Sequence, residues 1–374
     1  MRVLIRQIHL WLGLTLGLLF AVIGLSGSAL VFYLEIDAAL NPAAQADTSL
    51  PAPGWDSPVW DTALATGRAE FPAGGDWTFE ANGEGGPIPA RYYPLHGGHG
   101  HHSEREMVWF SPDGSEVVRV ATWGDYLMSW IYELHMNLLA GDVGMQVVGW
   151  SGYAALALLL TGLAAWWPRG SWRKALAFKR RAAMVRRLRD LHKLSGLASL
   201  ILLILLVLTG ALLSLPAVKD QLLTALITAP DPVPSPTPSP TGPPEVPLRQ
   251  ALLAARQAIP HGRMTFIDVP GAPGAPYRIR VQGPGDLHER FPGSFVFVDR
   301  FTGEVTALND TAAGNAATRV GVWIRPVHDG SIGGLGTRIL AVIAGLMPSV
   351  LFITGLLHWL RRRSARHRAN FSNI

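Results

Sequence analysis

The sequence predicts an α-helical membrane protein with four transmembrane helices arranged as two tandem repeats, each repeat carrying an α+β module outside the bilayer. Three observations lead there. Four stretches, 10–34, 143–168, 194–218 and 339–360, contain no Asp, Glu, Lys or Arg. Histidines and small-residue pairs recur at matched spacing around these stretches. Lys and Arg are densest in the segments that follow the second and fourth stretches.

Each uncharged stretch is rich in Leu, Ala, Val, Ile and Gly, and each reaches the roughly 20 apolar residues needed to cross a hydrocarbon core. Of the 374 residues only 16% are charged, against about a quarter in soluble domains. The resulting division is span one at 1–34, an external module at 35–142, span two at 143–168, a basic loop at 169–192, span three at 193–218, a second external module at 219–337, span four at 338–360 and a tail at 361–374. Arg2 and Arg6 before the first span, and Ser26-Gly27-Ser28-Ala29 near its end, resemble a cleavable signal. The repeat described below argues that this span is retained, because its twin lies mid-chain.

Orientation follows from the basic loops. Arg169, Arg173, Lys174, Lys179, Arg180, Arg181, Arg186, Arg187 and Arg189 lie between spans two and three, and Arg361, Arg362, Arg363, Arg366 and Arg368 follow span four. Both segments, and hence both termini, are expected in the cytoplasm. This topology also accounts for the pI of about 9.7, so no nucleic-acid partner is implied. The absence of cysteine excludes Cys-ligated iron–sulfur clusters, thiol redox chemistry and disulfides.

The first external segment shows a helix-like stretch near Trp60–Glu70, strands near Trp77–Glu80 and Met107–Phe110, and a strand through Val120 after the turn at Pro112-Asp113-Gly114. The second opens with a Pro-rich tract, Pro230 to Pro247, that reads as a semi-rigid linker. A helix over Leu248–Ile259 and strands at Thr265–Val269, Tyr277–Val281 and Ser294–Val298 follow. The last strand feeds the turn Asp299-Arg300-Phe301-Thr302-Gly303-Glu304.

The repeat is sharpest at the spans. His9 and His192 open spans one and three, each with Gly four residues on, and equal spacing leads to Ser26-Gly27 and Thr209-Gly210. His135 and His328 precede spans two and four, and equal spacing leads to Thr161-Gly162 and Thr354-Gly355. In a two-fold bundle these residues form one His–His pair near each membrane face. Two imidazoles opposed across a bundle suit the axial positions of a b-type haem, so His9, His192, His135 and His328 are candidate iron ligands for two haems. The neighbouring glycines are expected to let the porphyrin approach the helix backbones. No protein acid, base or nucleophile is then required, because the cofactor carries the chemistry.

His358 lies at the depth of His9 and His192, with Ala165 as its repeat counterpart. Two readings stand for it: replacement of one of those ligands, or a hydrogen bond to a haem propionate. A helix unbroken from His135 to Trp166 would rise about 45 Å, so His135 lies beyond the hydrocarbon unless Gly141-Asp142-Val143-Gly144 bends it back. Aromatic residues before the outer histidines, Trp123, Tyr126, Trp130 and Trp323, together with Arg325, fit either a substrate site or an interfacial belt. His96, His99, His101 and His102 sit among glycines, where they fit a transition-metal site or a solvated loop, the loop being favoured because no acidic or Cys partner sits beside them. The glycines at 330, 333, 334 and 336 lack the strand context of a nucleotide fold, so electrons are expected from a quinol or another donor.

The segments Arg6-Gln7-Ile8-His9-Leu10-Trp11-Leu12-Gly13 with Ser26-Gly27, Leu134-His135, Leu191-His192-Lys193-Leu194-Ser195-Gly196, and Val298-Asp299-Arg300-Phe301-Thr302-Gly303-Glu304 together resemble the PepSY-associated transmembrane family over essentially the whole chain. They are most similar to its FoxB-type di-haem siderophore reductases. The resemblance implies a bacterial inner-membrane protein with PepSY-like periplasmic modules. It implies two b haems and reduction of a ferric siderophore, of hydroxamate type, at the periplasmic face. Siderophore or iron transport without catalysis, and restraint of a periplasmic partner, are the competing expectations.

Overall fold

The computed structural model describes residues 2–95, 105–168, 170–240, 242 and 244–371. Its helices are α1 Arg2–Leu30, α2 Tyr33–Leu40, α3 Val59–Glu70, α4 Leu127–Asn137, α5 Gly141–Trp166, α6 Trp172–Leu176, α7 Met184–Ser214, α8 Pro216–Leu226, α9 Leu248–Ala258, α10 Ala316–Asp329 and α11 Gly334–Phe371. Its strands are β1 Gly75–Glu80, β2 Ile88–Pro94, β3 Glu106–Phe110, β4 Val117–Thr122, β5 Arg263–Val269, β6 Tyr277–Gln282, β7 Ser294–Val298 and β8 Val305–Asn309. The chain divides into two compact units. One comprises Met1–Phe32, Ile131–Pro216 and Val327–Ile374; the other comprises Tyr33–Trp130 and Ala217–Pro326.

The first unit holds four helices long and apolar enough to cross a membrane, within Arg2–Leu30, Gly141–Trp166, Met184–Ser214 and Ser331–Ala365. Their outward residues, Leu18, Trp150, Ile201 and Ile343 among them, are exposed, as lipid contact requires. Each helix packs on two neighbours, in the cyclic order α1, α5, α7, α11. The diagonal pairs α1/α7 and α5/α11 scarcely touch. Small residues bring α1 and α11 closest, as in membrane packing generally. A Cβ on Gly24 would lie 2.3 Å from the Gly345 carbonyl oxygen, and Ser28 Oγ donates to the Val342 carbonyl at 3.1 Å.

Two breaks shape this unit. Helix α4 stops at Asn137, and Leu138, Leu139 and Gly141 take φ of +55°, +59° and +58°. Positive φ is costly for a side chain such as leucine, so the turn is imposed by what it joins. The break falls just before Gly141, and it removes the long unbroken helix that would have carried His135 away from the bundle. Helix α10 ends at Asp329 with an equivalent interruption, Gly330 at φ +77° and Gly334 at +65°.

The second unit corrects the expectation of two separate α+β modules. Its strands form one antiparallel sheet of eight, ordered β4-β3-β2-β1-β5-β6-β7-β8. Each external segment supplies a four-stranded meander, and the two meanders fuse where β1 pairs β5, with Trp77 opposite Val269 and Phe79 opposite Ile267. An edge strand presents unpaired N–H and C=O groups, and here each meander's edge satisfies the other's. Helices α3 and α9 cover one face. Trp60, Ala63 and Leu64 of α3, with Leu248, Ala251, Leu252 and Ala255 of α9, bury against Trp77, Phe79, Val108, Phe110, Ile267, Ile279 and Val296. Strand β2 escaped sequence inspection because Pro89 and Pro94 interrupt it. Its buried residues Ile88, Ala90 and Tyr92 nevertheless alternate as a half-buried strand requires.

The Pro-rich tract is bound to this unit rather than linking it loosely. Ser239 N–H donates to the Gly274 carbonyl at 2.9 Å, and Val246 N–H to the Arg300 carbonyl at 2.8 Å. The Asp299–Glu304 turn explains the binding. Asp299 Oδ1 accepts from the N–H groups of Phe301 and Thr302, both at 2.8 Å, and Gly303 takes φ +74°. Arg300, 3% exposed, donates to the carbonyls of Ala275 (2.7 Å) and Pro270 (2.6 Å) and to Glu245 (2.9 Å). Arg300→Ala would strip all three acceptors inside the fold. It is expected to cost about 3–5 kcal/mol, measured as a drop in the thermal midpoint with retention of helical circular dichroism from the apolar helices.

Candidate functional site

The four histidines at matched spacing are all in the helical unit, and each is held by another helix from its own half of the chain. His9, on α1, directs Nδ1 to the Leu158 carbonyl of α5 at 3.1 Å. His135, on α4, reaches the Ile23 carbonyl of α1 at 2.9 Å. In the second half of the chain His192, on α7, reaches Leu351 of α11 at 2.9 Å, and His328, on α10, reaches Leu206 of α7 at 3.0 Å. In every case the accepting carbonyl lies three residues before the Ser or Thr of the small pair. That hydroxyl stands beside the same ring nitrogen: Thr161 at 3.5 Å, Ser26 at 3.3 Å, Thr354 at 3.1 Å and Thr209 at 3.3 Å.

A carbonyl only accepts, so Nδ1 carries the proton and Nε2 the lone pair. This is the tautomer that a metal-ligating histidine needs, with its other ring nitrogen anchored.

The glycines of the small pairs make room for the imidazoles. A Cβ on Gly27 would sit 2.6 Å from His135 Cε1, on Gly210 2.7 Å from His328 Cε1, and on Gly162 2.8 Å from His9 Cε1. Gly355 is looser, at 3.3 Å from His192 Cε1. The Ser/Thr-Gly pair is therefore a cradle: the carbonyl fixes the ring, and the missing Cβ makes room for it.

The cradles turn the rings toward one another in pairs. His9 and His192, from the diagonal helices α1 and α7, have ring centroids 6.1 Å apart with planes at 76°. His135 and His328 are also 6.1 Å apart, with planes at 34°. A metal–imidazole nitrogen bond is about 2 Å long, and the ring centre lies about 1 Å behind the nitrogen. One metal between two collinear Nε2 atoms thus separates centroids by about 6 Å. The observed separations leave room for one metal ion between the two rings of each pair. Among the described residues no three His, Cys, Asp or Glu side chains cluster as a self-sufficient metal site. Two protein ligands per site suit a metal whose remaining positions are filled by a macrocycle.

The family described as the PepSY-associated TM region matches residues 6–362. The chain belongs to that family. The match is to the family as a whole and does not single out the FoxB type. No curated protein matches the chain.

All four paired histidines of this PepSY-associated membrane protein lie within the matched span. His358 is half-buried on α11, four residues beyond Thr354; the ring opposite His9 belongs to His192. Of the aromatic residues before the outer histidines, Trp123 and Tyr126 are tied into the sheet unit. Arg105 stacks on Trp123 at 3.7 Å, and Tyr126 shares a 2.7 Å hydrogen bond with Tyr33. Trp130 and Trp323 are exposed. His96, His99, His101 and His102 lie outside the described residues. Sequence inspection missed the carbonyls of Ile23, Leu158, Leu206 and Leu351, since a backbone acceptor leaves no mark on residue type. Their fixed place three residues before each Ser/Thr-Gly pair is the signal that could have found them.

Proposed function

We propose that this protein is an inner-membrane di-haem b oxidoreductase that carries electrons across the bilayer to reduce a ferric siderophore at the periplasmic face. The observation that carries the proposal is the pair of His–His separations at 6.1 Å, each made by rings already in the ligating tautomer. His9 and His192 would hold the haem near the basic, cytoplasmic end. His135 and His328 would hold the one near the periplasmic end. When bound, the haems supply single-electron transfer, and one electron converts ferric to ferrous iron, which oxygen donors of a siderophore hold less tightly.

The chain's own contribution is fixation. The four carbonyls orient the imidazoles, and the apolar walls of α1, α5, α7 and α11 keep water from the path. The family membership and the Arg and Lys residues around α6 and the start of α7 support an inner-membrane location with both termini cytoplasmic. A quinol in the bilayer is the donor class that such a site suits, given the lack of a nucleotide-binding motif. In this reading the two halves of the chain, each one helix pair with one meander, are tandem PepSY-associated repeats.

Two measurements test this. Protein purified from haem-supplied cells is expected to show a reduced b-type Soret and α band. After chemical reduction of the protein, anaerobic addition of a ferric siderophore is expected to reoxidise that band and release iron to a ferrous chelator in equal amounts. Colourless protein, or a reduced band indifferent to ferric siderophore, would sink the proposal.

A further inference from the structure

The face of the sheet opposite α3 and α9 carries a cluster of arginines that the electron path does not use. Arg91 on β2, with Arg278 and Arg280 on β6, alternates with the core residues Ala90, Tyr92, Ile279 and Val281 and so projects from that opposite face. Arg290, from the β6–β7 loop, and Arg325, on α10, join them. The floor is aromatic: the rings of Phe266 and Phe291 stack 5.4 Å apart at 12°. Four guanidinium groups lie within cation–π range of Phe291: Arg325 at 5.1 Å, Arg290 at 5.2 Å, Arg280 at 5.9 Å and Arg91 at 6.0 Å. Arg280 also lies 4.7 Å from Phe295.

Two carboxylates meet these cations. Glu80 takes Arg290 through both oxygens and Arg91 at 3.8 Å, and Asp268 takes Arg278 at 2.7 Å. Among the described residues the side chains of Arg280 and Arg325 have no hydrogen bond or ion pair. Burial, only partly offset by Asp268, together with Arg278, Arg91 and Arg325 nearby, pulls the Arg280 guanidinium down to about 10. It is therefore still cationic at neutral pH, and it gains from any anion that reaches it. The cluster already shows its preferred partner in the Glu80 carboxylate.

We propose that Arg280 and Arg325, over the Phe266–Phe291 floor with Arg91 beside them, form a binding site for a small polycarboxylate. A guanidinium fork matches a carboxylate in geometry and charge. Resting on the reductase reading, the substrate class that follows is an anionic, carboxylate-type ferric chelate. A ferric tris-hydroxamate is neutral and would not draw on this charge. That revises the hydroxamate expectation raised by the family resemblance.

Calorimetric titration of the full-length protein in detergent, as purified, with citrate and with ferric citrate tests the site without any redox step. Both are expected to bind. Arg280→Gln and Arg325→Gln are each expected to weaken binding at least about tenfold, equivalent to about 1.4 kcal/mol. Arg325 is exposed, so its variant should keep the parental thermal midpoint even if the Arg280 variant does not. A neutral ferric tris-hydroxamate should be insensitive to both changes. Unchanged citrate affinity in the Arg325 variant would overturn the proposal. So would equal displacement by sulfate, which would mark a non-specific anion patch. Citrate binding seen only after removal of haem would assign the arginines to porphyrin propionates and overturn it as well. Colourless protein that binds citrate in this way would fail the reductase reading and leave the anion site standing.

Discussion

If the protein is the di-haem carrier proposed above, His135→Ala is expected to halve the haem content, leaving one b haem per chain in place of two. The two histidine pairs are held by different groups. His135 depends on Ile23 and Ser26 and faces His328, whereas His9 depends on Leu158 and faces His192. Loss of one imidazole would leave His328 as the only one of the pair able to hold that haem, and one imidazole would hold it far less firmly than two. A pyridine haemochrome assay against protein concentration measures the ratio. The loss should be partly reversed by adding imidazole during purification, an effect that a merely misfolded variant would not show. His9→Ala should give the same stoichiometry with the other haem retained, distinguishable by the split of the low-temperature α band. Full haem content in both variants would exclude these residues as ligands.

Gly27→Val is expected to damage the same site without touching a ligand. The first added carbon alone would lie 2.6 Å from His135 Cε1, and the branched methyls would crowd further. The ring must leave the Ile23 carbonyl or the α1 backbone must yield. Overpacking of this kind costs about 1–3 kcal/mol, and here the displaced group is the proposed ligand. Loss of the haem held by His135 and His328, with a lowered thermal midpoint, is the expected result. Gly355→Ala provides the internal contrast. Its Cβ meets His192 at 3.3 Å, a distance that a small shift relieves, so its haem content should stay near parental. Equal tolerance of both substitutions would show that the glycines are not there to seat the imidazoles.

The histidine pairs were legible because matched spacing exposes them: His9 and His192 stand at equal distances from a small pair, as do His135 and His328. What held the rings was not legible. Spacing showed that Ser26-Gly27 recurs as Thr209-Gly210, but a small pair in an apolar helix suits close helix packing just as well. Only the packing of α1 against α4 and α5, and of α7 against α10 and α11, puts each pair beside a histidine from another helix. The glycines at 141 and 144 marked a possible bend after His135, but not that it begins at two leucines. Leu138 and Leu139 adopt left-handed φ, a conformation that leucine does not advertise.

The sheet shows the same division. Alternation of apolar residues located β5 to β7 and the helix α9, since a strand or helix with one buried face writes its period into the chain. The pairing of β1 with β5 joins residues about 190 positions apart, and no local pattern encodes which exposed edge will find which. The arginine cluster depends wholly on that joining. Arg91 comes from one external segment, Arg280, Arg290 and Arg325 from the other, and the Glu80–Arg290 pair bridges them.

By itself, then, the sequence determined the membrane-spanning helices, the basic segments and the paired histidines, because hydropathy, charge and repeat spacing are properties of residue order. Tertiary structure alone decided the imidazole cradles, the single eight-stranded sheet and the arginine face. Those depend on backbone carbonyls, absent Cβ atoms and strand edges meeting across long separations, which no residue's identity records.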